Sequence, residues 1–157
     1  MDPGEVARQL QAQQAGMNRL TVAEFLANRD HYLALKKKKG HGRDPLGDAA
    51  QKAAREEALR DKIDELQAEN EELTRDEATA QAEQWLKTQT ALHDPDQVAG
   101  GHPHIITGMG DARVNSAIGG QWPKRIKAID QQIRTYAASM SQQERESTYL
   151  NIILPLT

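Results

Sequence analysis

The stretch from Leu92 to Trp122, LHDPDQVAGGHPHIITGMGDARVNSAIGGQW, constrains this chain more than any other. It holds three of the five histidines and six of the eleven glycines, and it keeps neither a helical nor a strand period. A compact domain rarely carries so long an irregular connection unless it is functional or disordered. Val98, Ile105, Ile106, Met109, Val114, Ile118 and Trp122 make it too apolar for a solvated linker. The segment is therefore expected to pack against its flanks and to form an active-site loop over 92–122.

Those flanks carry helix-start chemistry. Thr21–Glu24, Thr74–Glu77 and Ser141–Glu144 each match the capping box, in which a hydroxyl and a carboxylate satisfy the free amides of a first turn. They predict helices over about 22–36, 75–92 and 142–152. A first helix is expected over about 4–15, and another over about 48–72. In the latter, Leu59, Ile63, Leu66 and Leu73 recur four, three and seven apart and form a face for docking on a neighbour. Asp111 reads as the cap of a short helix through Ile118, ended by Gly119-Gly120. Pro123 suits the first position of a further helix, whose stripe is Ile126, Ile129, Ile133, Tyr136, Ala137 and Met140. Strand signals are confined to His104–Thr107 and Tyr149–Leu154. The expectation is an all-α fold: a single domain over 1–157, of about six helices and one long irregular loop.

Composition narrows the function classes. The absence of cysteine excludes disulfide staples and thiol chemistry, and fits a chain that works in a reducing cytosol or is threaded unfolded through a secretion machine. No apolar run approaches the roughly 20 residues of a membrane span, and no signal pattern opens the chain. The start at Met1-Asp2-Pro3-Gly4 is abrupt, so we expect the C-terminal part of a longer protein exported by a carrier. The net charge of -3 is unevenly spread. Asp48–Glu83 has twelve acids against five bases, a net of -7, whereas Arg113–Arg134 has five bases against Asp130 alone, a net of +4. A basic face beside the loop suits an anionic substrate, although solvated helix faces produce the same pattern.

Within the loop, His93 and Asp96 stand in H-x-x-D spacing. Pro95 blocks continuation of the preceding helix, so His93 is expected at its C-terminus, where the dipole and neighbouring aspartates would raise its pKa. An imidazole near neutrality suits a general base or acid, and Asp96 could orient it or hold a divalent cation. Phosphodiester hydrolysis needs an activated water, charge neutralisation at phosphate and a proton for the leaving group. Arg113, Lys124 and Arg125 are candidates for the neutralisation. Asp111, Arg113 and Asn115 are expected close together at one end of their short helix, which adds Asn115 as a substrate contact and Asp111 as a further site candidate. The alternative metal reading joins His102 and His104, whose His-x-His spacing suits zinc, to His93 and Asp96.

The segments ALHDPDQVAGG (Ala91–Gly101) and ITGMGDARVNSAIGGQW (Ile106–Trp122) resemble the polymorphic toxin type 15 domain, as does TVAEFLANRD (Thr21–Asp30) upstream. The resemblance implies an all-α bacterial toxin domain, typified by DNases delivered to competitors by type VI secretion and encoded beside a neutralising immunity protein. It places the family's catalytic H-x-x-D on His93 and Asp96, with Asp111, Arg113, Asn115 and Ser116 matching in kind. Together these readings predict an endonuclease assisted by a divalent cation of the magnesium class. It would be secreted from a bacterium, act on DNA in a target-cell cytoplasm, and be held in check by an immunity protein. Two other classes stay open: an RNase toxin, and a helical secretion or interaction module that catalyses nothing.

Overall fold

Two of the three capping boxes form both reciprocal bonds. Thr21 caps α2 (Val22–Lys39) and Ser141 caps α6 (Gln142–Ser147), each with its glutamate returning to the cap backbone. Thr74 caps α4 (Arg75–Leu86) with its hydroxyl alone. These helices belong to a computed structural model that describes residues 1–155, so the last two residues of the domain expected over 1–157 lie outside the described residues. α1 spans Pro3–Met17, α3 Leu46–Glu69 and α5 Ala112–Ala137. Among the described residues, no helix is long and apolar enough to cross a membrane.

The all-α expectation needs one correction. The described residues are predominantly helical, with six α-helices among them, but they also contain a two-stranded antiparallel sheet of β1 (Gln89–Leu92) and β2 (Gly108–Asp111). The helix expected to reach residue 92 stops at Leu86 because tertiary bonds take over its end. Arg55 of α3 donates to the carbonyls of Leu86 (3.3 Å) and Gln89 (2.9 Å), and the following residues pair with β2 instead of continuing the turn. His104–Thr107, a strand signal in the sequence, forms no strand: His104 sits in a turn with Pro103, and 105–107 are irregular. Tyr149–Leu154 supplies one isolated bridge, Thr21 to Tyr149, which ends α6 early and ties the C-terminal segment to the start of α2.

The helix expected to begin at Pro123 is also different. α5 runs unbroken through Gly119, Gly120 and Pro123. Val114, Ile118, Trp122, Ile126, Ile133 and Ala137 fall on one buried face across all three breakers, so burial of that stripe outweighs the local cost. Pro123 leaves the Gly119 carbonyl without its helical donor, and no atom crowds Gly119.

The core packs this stripe against Leu10 and Met17 of α1, Phe25 of α2, Ala99, and Leu150 and Leu154 near the C-terminus. Trp122 is fully buried at its centre. Arg29 of α2 is buried too, donating to the Val98 carbonyl (2.8 Å) and to Asp130 of α5 (3.3 Å). It thus locks two helices and the loop together. A second, smaller cluster joins α3 and α4 through Ile63, Ala78 and Ala82, with Leu59, Leu66 and Leu73 alongside, the docking expected for that stripe.

Candidate active site

His93 is the first residue after β1, and the loop it begins returns at Thr107, whose N–H donates to the Leu92 carbonyl (3.0 Å). It does not lie at a helix C-terminus. The expected upward pull on its pKa is therefore reversed: burial pushes the imidazole below its ordinary value, and the Arg43 cation adds to that, while the Pro103 carbonyl and Asp94 oppose it. His93 is 8% exposed, and its Nε2 lies 2.8 Å from the Pro103 carbonyl oxygen. A carbonyl only accepts, so Nε2 carries the hydrogen and, in the neutral ring, the lone pair is on Nδ1.

The HDPD turn is held from α1. Gln13, buried in the core, donates through Nε2 to the His93 carbonyl (3.3 Å), and its Oε1 accepts from the Asp96 N–H (2.8 Å). One side chain therefore fixes the backbone of both H-x-x-D residues. Gly16, one turn along α1, lets the chain pass at contact distance: a Cβ there would lie 2.0 Å from the Asp94 carbonyl oxygen. Gly101 does the same from the other side, where a Cβ would lie 1.8 Å from the Pro95 carbonyl oxygen.

Asp96 as a residue is partly exposed, yet burial is the largest influence on its carboxyl and lifts its pKa to about 6. The negative charge of Asp94 pushes the same way. Gln13 and the Trp122 indole N–H, which is buried without a well-formed hydrogen bond, favour the charged form. His93 and Asp96 open into one cleft of about 360 Å³, whose other walls include Tyr32, His41, Arg43 and Asn115. The Asn115 Oδ1 is buried with no hydrogen-bond partner.

A family model described as Novel toxin 15 matches residues 1–155. The chain belongs to the Novel toxin 15 family. No curated protein matches it.

Of the residues that the sequence suggested for this Novel toxin 15 site, the structure gathers His93, Asp96 and Asn115. The others lie elsewhere. Asp111 caps α5 by accepting from the Val114 N–H (3.0 Å), as expected, but with Arg113 it lines a separate depression shared with Glu5 and Arg8. Lys124 is exposed on α5, and Arg125 is half-buried with one guanidinium nitrogen unpartnered; neither lines the His93 cleft. His102 faces α2, where its Nε2 meets Glu24 (3.1 Å) and its Nδ1 meets Asn28 (3.4 Å), while His104 is exposed. Among the described residues, no three of histidine, cysteine, aspartate and glutamate come together as a metal-binding group, so a zinc cage does not fit. Two residues that line the cleft, Asp96 and Asn115, carry hard oxygen donors, and the Asn115 Oδ1 has no hydrogen-bond partner. They fit a magnesium-class cation, which takes few protein ligands and completes its shell with water and phosphate.

Sequence reasoning missed Gln13, and it preferred a mobile, solvated loop to a phosphate contact for the segment that holds His41 and Arg43. Gly40-His41-Gly42-Arg43-Asp44-Pro45 reads as a solvated basic loop, but it is pinned in place. Asp44 is buried, bonds His31 (2.6 Å), and donates from its N–H to the Gln97 Oε1 (3.1 Å). Gly42 lies against the Tyr32 ring, where a Cβ would come within 2.1 Å of a ring carbon. The signal available in the sequence was the pair of glycines framing His41, ahead of an arginine.

Proposed function

We propose that this domain is an antibacterial toxin that hydrolyses DNA phosphodiester bonds in the His93–Asp96 cleft. The observation that carries the reading is the convergence of the H-x-x-D pair, Arg43 and Asn115 on one cleft in a chain of a toxin family. Neutral His93, its Nε2 hydrogen held by the Pro103 carbonyl, has a basic Nδ1 to take the proton of an attacking water. Burial keeps the ring neutral near pH 7, so it is ready to accept. Arg43 neutralises charge on the phosphoryl oxygens, the role that the sequence gave to Arg113, Lys124 and Arg125. Asp96 and Asn115 would hold a magnesium-class ion, whose chemistry when bound would be Lewis-acid polarisation of water and phosphate oxygen. A buried carboxylate with so little compensation suits that role, because a divalent cation offsets the cost of its charge. Gln13 positions both residues.

The same reading makes a cognate immunity protein the partner that protects the producer, and a secretion carrier of the type VI class the route into the target-cell cytoplasm. The test is incubation of the folded domain with supercoiled plasmid and, in parallel, with total RNA, in magnesium and again in EDTA. Magnesium-dependent nicking supports the assignment. Untouched plasmid with degraded RNA moves the substrate to RNA, and loss of neither leaves a non-catalytic module.

A further inference from the structure

A groove of about 700 Å³ runs between α2 and α5 and shares Tyr32 and Val98 in its lining with the His93 cleft, so the two spaces adjoin at these residues. Its floor is apolar: Leu33, Val98, Pro123 and Ile126 line it, and Leu33 is 39% exposed. Its cations differ in status. Arg29 and Arg134 share the carboxylate of Asp130, and Arg134 also bonds Asp30. Lys36 on α2 and Lys127 on α5 make no ion pair among the described residues, and they stand on opposite walls.

We infer that this groove binds an unpaired nucleotide of the substrate strand, next to the phosphate held at His93. The inference rests on the nucleic-acid reading above and adds the strand's form and path. An apolar floor between two free cations matches a nucleotide whose base has left its stack: the base covers Leu33 and Ile126, while its phosphates lie between Lys36 and Lys127. A duplex presents phosphates outward and keeps its bases inside, so it leaves such a floor uncovered. Single-strand sites elsewhere combine a cationic track with aromatic side chains on which bases stack, and Tyr32 lines this groove beside the aliphatic floor. An acidic protein segment would satisfy the lysines, but it would not explain why the groove adjoins the cleft at Tyr32 and Val98.

The test measures binding apart from cleavage. His93→Ala protein is titrated, by fluorescence anisotropy, against labelled oligothymidylate, the same strand annealed to its complement, and the strand carrying abasic positions. The groove predicts that the single strand binds more tightly than the duplex, and that abasic positions weaken it at least about fivefold. Adding Lys36→Ala and Lys127→Ala, both at exposed positions, should lower the slope of log affinity against log salt by about 1.4 between about 50 and 200 mM salt. Leu33→Asp should abolish the difference between intact and abasic strands. Equal binding of strand and duplex, or an unchanged slope in the double lysine variant, overturns the inference and leaves the groove to a protein partner. Failure of the nuclease reading shows separately, as wild-type protein that cleaves neither plasmid nor RNA.

Discussion

Asp96→Asn is expected to abolish the proposed hydrolysis and stabilise the fold. The carboxyl is lifted from its ordinary 3.8 to about 6, chiefly by burial. At about 1.36 kcal/mol per pH unit, holding it charged inside the fold costs up to about 3 kcal/mol, and relaxation around the charge brings our expectation to about 2 kcal/mol. The pH window follows from the direction of the shift. Below pH 3.8 the carboxyl is protonated in folded and unfolded chains alike, and no penalty exists. Between 3.8 and about 6 only the unfolded chain releases the proton, so stability falls as pH rises; above that the loss is complete. Asparagine cannot ionise and escapes the loss. For 157 residues each kcal/mol moves Tm by about 2–4 °C, so Asp96→Asn should melt about 4–8 °C above wild type at pH 8 and close to it at pH 4. The assay is calorimetry in EDTA over that pH range. Magnesium should narrow the gap at pH 8 by stabilising the wild-type carboxylate. A gap that is constant with pH, or a variant less stable at pH 8, would refute the claim that burial outweighs the partners of the Asp96 carboxylate.

Gly16→Ala should lower Tm by about 4–8 °C, although alanine normally favours a helix interior, because its Cβ meets the Asp94 carbonyl at 2.0 Å; an unchanged melting curve would mean that the turn moves freely away from α1. Arg43→Ala should reduce kcat/KM about a hundredfold, with Arg43→Lys restoring only part, and a rate within twofold of wild type removes Arg43 from the phosphate site. The acidic limb of wild-type kcat/KM should lie below the ordinary histidine value of 6.5, because burial and Arg43 both disfavour the imidazolium. In Arg43→Ala that limb should move to higher pH, since removing the cation makes protonation of His93 easier; a shift to lower pH contradicts the assignment of His93 as the base.

What the sequence disclosed was local chemistry. Thr21 and Ser141 meet their glutamates three residues away, so the starts of their helices could be read from spacing alone, and so could the Leu59–Ile63–Leu66 stripe that packs on α4. The sheet was illegible because Gln89–Leu92 looks like the tail of a helix and Gly108-Met109-Gly110-Asp111 has little strand propensity; each becomes a strand only against the other. Gly119, Gly120 and Pro123 signalled a break that six buried residues of α5 outweigh. The site divides the same way. His93 and Asp96 were visible as a motif, but their cation was sought among chain neighbours of the loop. Helical phase carries Arg113 to another face, and the arginine that reaches the cleft, Arg43, comes from a loop far back in the chain. Gln13 carries no motif, since its role exists only where α1 crosses the turn.

The central claim is that His93 and Asp96 perform phosphodiester hydrolysis in one cleft. Its most direct test is the rate at which purified protein converts supercoiled plasmid to nicked circles in magnesium, comparing wild type with His93→Ala and Asp96→Ala at matched folding. The account predicts nicking by wild type and none by either variant. Intact plasmid with wild type, or wild-type rates in either variant, would contradict it.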